Sequence, residues 1–253
     1  MTTMKGHRTC IICLPRTGSQ LCEMLSGERY SSLHLGEYFE NWNRSEYIAD
    51  NDNNIRLKNF SSIPTNFKLF EGFAERLNLL KNTNINQSLT LRIFLMDQYD
   101  KNIMSTIITE LKNIGFEFIT LKRNIEEQLL SYMIARTYVK NVFGINSEIN
   151  EPVYINLTKL NKVLTHIYDS HLLWEKNLSM LLHNIEYQKV KYESVYSDME
   201  KIYNTKFKYL GKKSINVNPF DLILNKEEVM GFLLNKSSGL GVTPALQTLP
   251  PML

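Results

Sequence analysis

The sequence predicts an α/β fold with a central, mainly parallel sheet flanked by helices. Two observations carry that expectation. TCIICL (9–14) and FEFITL (116–121) are short apolar runs bounded by turn signals, as buried strands are. Helical patterns stand between and after them, so strands alternate with helices, which implies crossover connections and parallel pairing.

Taken in order, 9–14 is the first strand and 18–25 opens the first helix. LTLRIFL (89–95) reads as a second strand, 101–114 as a helix stopped by Gly115, and FEFITL as a third strand. A helix is expected over 125–139 and a long one over 157–182. In the long helix Leu160, Val163, Leu164, Ile167, His171, Leu172, Trp174, Leu178 and Leu181 recur at threes and fours, the stripe of a helix laid on a core. EYQKVKY (186–192) reads as a last strand. Residues 50–68 are polar and weakly periodic and read as a surface excursion. The expected organisation is one α/β domain over 1–235, with helical excursions near 34–75 and 140–180, and a Gly/Pro-rich tail over 236–253 that cannot continue a helix.

Composition excludes several classes. The chain has 253 residues, 43% hydrophobic, with 29 basic and 26 acidic residues spread along it for a net charge of +3, so there is no basic block for nucleic acid. No apolar stretch is long enough for a membrane span, and the polar N-terminus lacks a cleavage pattern. Cys10, Cys13 and Cys22 are odd in number and crowded near the N-terminus, which favours a reducing compartment and a soluble, cytoplasmic protein. The long helix and the Pro-rich tail leave room for a homodimer.

The loop PRTGSQ (15–20) between the first strand and helix aims backbone N–H groups and a helix N-terminus at one point, the usual way to hold a phosphate or sulfate. Gly18 permits close approach, Arg16 adds a positive fork, and Thr17 and Ser19 supply hydroxyls. An ordinary strand-to-helix turn capped by Ser19 or Thr17 explains the same residues. A nucleoside-triphosphate P-loop requires Gly-Lys-Ser/Thr, and here Ser19 and Gln20 follow the glycine. The spacing of Cys10, Arg16 and Thr17 formally matches a tyrosine-phosphatase loop. That match is false, because residues 11–14 look like a buried strand whose N–H groups belong to the sheet.

A second constellation follows FEFITL. Arg123 stands where a parallel strand ends, the edge at which open α/β sheets bind ligands, and Ser131 lies eight residues on within the next helix. With PRTGS, these residues make the sequence resemble the sulfotransferases that use 3′-phosphoadenosine 5′-phosphosulfate (PAPS), of the bacterial type. PRTGS is similar to the family's 5′-phosphosulfate loop, P-[RK]-[ST]-G-[ST]. RNIEEQLLS (123–131) is similar to its 3′-phosphate motif, and KYESVYSD (191–198) to its Y-E-D-L segment, with Ser194 in place of Asp.

The resemblance implies a P-loop NTPase-like sulfotransferase fold and transfer of a sulfuryl group from PAPS to a hydroxyl of a small molecule or carbohydrate. It implies adenosine 3′,5′-diphosphate as product and no metal. Arg16, Thr17, Gly18, Ser19 and Gln20 would hold the 5′-phosphosulfate, Arg123 and Ser131 the 3′-phosphate, and Tyr192 would approach the adenine. Arg16 would also stabilise the departing oxygen. Glu37, in the E-[FY]-F context of bacterial members but without their proline, would be the base, with His34 a distant rival. Asp97 and Gln98, after the 89–95 strand, would face the crevice. The alternative is a protein of the same fold that binds a nucleotide or a phosphorylated partner without transfer.

Overall fold

The computed structural model describes residues 5–15, 17–39, 45–60, 72–95, 100–138, 153–195, 198 and 223–239. Arg16, Asp97, Gln98 and the part of the expected tail beyond 239 lie outside them. The chain forms two compact units, one of residues 1–122 and 170–201, the other of 123–169 and 202–253.

The first unit is built on β1 (Arg8–Cys13), β2 (Leu33–Gly36), β5 (Leu89–Phe94), β6 (Glu117–Lys122) and β7 (Tyr187–Lys191), paired in the order β2-β5-β1-β6-β7. All four pairings are parallel, with Cys10 opposite Leu91 on one side and Phe118 on the other. Every residue of β1 is buried, as a central strand covered on both faces must be, and its RTCIIC run shows little alternation for that reason. α1 (Ser19–Tyr30) carries the chain from β1 to β2 across β5, whereas α3 (Lys101–Asn113) carries it from β5 to β6 across β1. Connections running in opposite directions, each right-handed, put the two helices on opposite faces. The side chains agree. Ser26 of α1 hydrogen-bonds Thr90, while Leu89, Leu91 and Ile93 join Met104 and Ile107 of α3 in the main core. The carboxyl end of β1 is therefore the topological switch point, where open parallel sheets leave a crevice.

The core cluster also takes Trp174, Leu178 and Leu182 from the second half of α5 (Leu157–Leu181) and its exit. Full burial of each such large side chain contributes about 1.5–3 kcal/mol. The expected helical excursion over 34–75 needs correction: β2 occupies its start, and β3 (Ser45–Ala49) pairs antiparallel with β4 (Ile55–Phe60) before α2 (Phe73–Lys81). The hairpin turns on Asp50, whose carboxylate accepts from Asp52 N at 3.0 Å and Asn54 N at 2.9 Å, while Asn53 takes φ 58°, which asparagine tolerates. Gln87 fastens it by bracketing Ile55, donating to its carbonyl at 2.8 Å and accepting from its N–H at 2.7 Å.

The second unit packs α4 (Ile125–Tyr138), the first half of α5 and α6 (Lys226–Gly239) around Leu129, Leu130, Leu160, Val229 and Leu233. An amide bracket recurs, Asn225 accepting from Ile155 N at 2.9 Å and donating to Ile155 O at 3.0 Å. α6 runs through Gly239, so the first residues of the expected tail are helical. No helix among the described residues is long and apolar enough to cross a membrane.

Candidate functional site

At the switch point β1 gives way to buried Leu14 and then to Pro15. Thr17, 1% exposed, turns its hydroxyl inward and donates to the Leu14 carbonyl at 2.8 Å, closing the loop on itself. Gly18 precedes α1 in the left-handed region, φ 85° and ψ 22°, and its carbonyl accepts from Leu21 N and Cys22 N. Among the described residues no side chain caps the helix. The Ser19 and Gln20 N–H groups, which an α-helix cannot satisfy internally, stand at the helix start where the chain leaves the carboxyl end of β1, as an anion site requires. Tyr192, the first residue past β7, lays its ring on Gly18: a Cβ built there would lie 2.2 Å from Tyr192 Cδ2. Gln20 is exposed on the first turn.

Ser19, the first residue of α1, is buried, and its Oγ accepts from Arg92 Nη1 at 3.3 Å. Arg92 rises from β5 on the face α1 covers. Its Nε lies 2.9 Å from Glu23 Oε2, a close ion pair whose N–H is not aimed along the hydrogen-bond line, and its Nη2 lies 3.8 Å from Glu37 Oε1. Glu23 is 3% exposed and also accepts from Gly36 N at 2.7 Å. Burial raises the Glu23 carboxyl, against the pull of Arg92 and the Gly36 N–H. Burial also pushes Glu37 above the usual glutamate range; Arg92 opposes this and Glu23 adds to it. Glu37 sits in the turn after β2, just past a register shift at which Gly36 takes φ 62°, and this bend brings it alongside Arg92.

The rival base His34 goes elsewhere. Its Nε2 lies 1.9 Å from where a Cβ at Gly27 would be. Gly27 is eight residues along α1 from Ser19, about 12 Å by helical rise. Burial, helped by Arg92, lowers the His34 pKa. Of the two candidates, Glu37 is the one tied to the loop.

The structure thus brings Thr17, Gly18, Ser19 and Tyr192 together directly, and Glu37 to them through Arg92. Arg92 and Glu23 were not anticipated from the sequence. Their signal was a charge inside an apolar run: Arg92 in LTLRIFL, and Glu23 in LCEML, four residues after Ser19 on one helical face.

Arg123 and Ser131 belong to the second unit. Arg123 directly follows β6, and its Nε donates to Glu127 Oε2 at 3.3 Å, with side chains 9% and 17% exposed. Asn124 caps α4, its Oδ1 accepting from Glu127 N at 3.0 Å. Ser131 is half-buried two turns on. The three cysteines are buried and none is in a disulfide. Burial pushes Cys10 well up and Cys22 to about 12, with the Cys13 charge adding to each, so neither is a ready thiolate and the phosphatase match fails.

No family model matches the chain, and no curated protein matches it. Among solved structures, the chain is similar to the tunicamycin resistance protein of Deinococcus radiodurans, at 10% identity and a TM-score of 0.38, over 79% of this chain and 96% of that one.

Proposed function

We propose that the chain is a PAPS-dependent sulfotransferase, moving a sulfuryl group to a hydroxyl of a small molecule or carbohydrate. The observation that carries the reading is a helix N-terminus behind a left-handed glycine, at the switch point of a parallel sheet, with the partly buried Glu37–Arg92–Glu23 cluster beside it. The resemblance of PRTGS and RNIEEQLLS to the family's two phosphate motifs supplies the ligand.

In this reading the loop N–H groups with Thr17, Gly18, Ser19 and Gln20 hold the 5′-phosphosulfate. Glu37 takes the proton of the acceptor hydroxyl as its oxygen bonds to sulfur. The bond from sulfur to the bridging oxygen breaks, and that oxygen leaves with the electron pair as part of adenosine 3′,5′-diphosphate. Arg16 and the loop N–H groups stabilise the charge gathering there. A base of this kind contributes on the order of 10²- to 10⁴-fold. Tyr192 lies on the loop glycine and approaches the nucleotide from that side. Arg123 and Ser131 hold the 3′-phosphate, an assignment taken from the sequence motif; a planar guanidinium grips a phosphate dianion in two places, as lysine does not.

Thermal melting tests the reading. Adenosine 3′,5′-diphosphate at about a hundred times its dissociation constant is expected to raise the midpoint by about 5–10 °C. Arg123→Ala should remove most of that shift, and its absence at millimolar ligand in the wild type would sink the assignment. A full shift without sulfate transfer to any of a broad acceptor panel would leave a binding protein.

A further inference from the structure

The Arg92 guanidinium is partly buried on the sheet face under α1, and it has more carboxylate around it than its charge neutralises. Glu23 holds it from one side at 2.9 Å and is itself fixed by the Gly36 N–H; Ser19 takes Nη1 at 3.3 Å; Glu37 faces Nη2 at 3.8 Å. The two carboxylates are unequal partners. Glu23 is close, almost fully buried and hydrogen-bonded, so it is the anchor. Glu37, with 24% of its side chain exposed, is near enough to feel the charge and too far to be hydrogen-bonded by it. Its proton affinity is open to adjustment, and its position is set by a group that also touches the first residue of the loop helix.

We propose that Arg92 is the positioning residue of the site: anchored by Glu23, it holds Glu37 charged and directed toward the loop through Ser19. The use of that charge as a base rests on the sulfotransferase reading, but the positioning itself does not. The groups that bear on Glu37 are Arg92 from β5 and Glu23 from α1, with His34 three residues back on β2. Arg92 favours the carboxylate and Glu23 opposes it. A guanidinium at this range lowers a carboxyl by about 1 pH unit or more, and a like charge raises it.

The test is a carbon-13 NMR pH titration of the Glu37 side-chain carboxyl in the ligand-free full chain, assigned by loss of the signal in Glu37→Gln. Arg92→Gln is expected to raise the Glu37 midpoint by about 1 pH unit. Arg92→Lys should restore part of the difference, since the ammonium returns the charge without the fork. Glu23→Gln should lower the midpoint, because the like charge is gone and Arg92 is released toward Glu37. If Arg92→Gln leaves Glu23 uncompensated and unfolds, the neutral pair Glu23→Gln/Arg92→Gln keeps the shape of the site and should still raise the midpoint. A Glu37 titration unmoved in the folded Arg92 variants, or raised in Glu23→Gln, overturns the proposal and leaves Arg92 as packing alone. Where the wild type also turns over PAPS, the acid limb of its rate profile should move with the Glu37 midpoint in each variant. If the wild type fails to bind adenosine 3′,5′-diphosphate, the functional reading falls, yet the titration still decides the role of Arg92.

Discussion

Two arginines are sunk into neighbouring strands of the sheet, and their partners differ in kind. Arg8 opens β1 at the amino end, 4% exposed, and donates to three main-chain carbonyls, of Ile114 at 3.2 Å, Thr83 at 3.2 Å and Asn84 at 3.0 Å. Arg92, near the carboxyl end of β5, faces two carboxylates and a hydroxyl. Carbonyls neither titrate nor leave, so Arg8 ties the turns after α2 and α3 to the sheet and does nothing else. Carboxylates exchange protons and can be competed for, so the Arg92 end has chemistry available to it. One sheet therefore keeps a sealed end and a working end.

The comparison breaks most sharply at Arg8. Arg8→Met removes three hydrogen bonds from a charged donor and strands the carbonyls, which should cost about 3–4 kcal/mol in urea unfolding. On the proposed sulfotransferase reading, adenosine 3′,5′-diphosphate affinity per folded molecule should stay as in the wild type. A variant that unfolds easily and also loses affinity would show that the sealed end is coupled to the loop.

At the working end the largest effect is expected at Gly18. Gly18→Ala meets two obstacles, a left-handed backbone that costs an alanine about 1 kcal/mol and the Tyr192 ring where the methyl would go. A total loss near 2 kcal/mol is expected. The double-mutant cycle with Tyr192→Ala separates the two: the glycine substitution should then cost about 1 kcal/mol, the backbone part alone. Equal costs in both backgrounds would mean that the ring yields freely.

How legible these two ends were differs for a physical reason. The buried strands and long helices follow from apolar periodicity, so β1, β5, β6, α3, α4 and α5 stand within a residue or two of where the sequence puts them. The β3–β4 hairpin was read as an excursion because its Asp50–Asn54 turn is polar and its strands lack a continuous apolar face. Residues of the site close in sequence, Thr17 to Ser19, were nameable from their turn chemistry. The link from Ser19 to Glu37 was not, because it passes through Arg92 on a different strand. In an alternating reading Arg92 and Glu23 look like solvent positions, and only the topology, with α1 lying over β5, shows that they face each other in a closed layer.

The smallest effect separates the ends by pH. At the carboxyl end of β6, Lys122 pairs with Glu175 and lies 5.1 Å over the Trp174 ring, and His171 sits close enough to feel its charge. Burial, with Lys122 adding to it, lowers the His171 pKa from 6.5 to about 4. The folded chain thus refuses a proton that the unfolded chain accepts below pH 6.5. Between pH 6.5 and about 4 the unfolded state binds more protons, so stability is lost as the pH is lowered through this range; above 6.5 neither state is protonated, and below 4 both are. Because the imidazole is partly open to solvent, the acid-side loss should be about 1 kcal/mol, well under the full linkage value. His171→Gln should remove it, so unfolding free energies at pH 7.5 and 4.5 should differ by about 1 kcal/mol less in the variant than in the wild type. Arg8 and its carbonyls hold nothing that titrates in that window, so a chain carrying Arg8→Met should keep the whole of the His171 slope. If it lost that slope, the division between a sealed and a working end would fail.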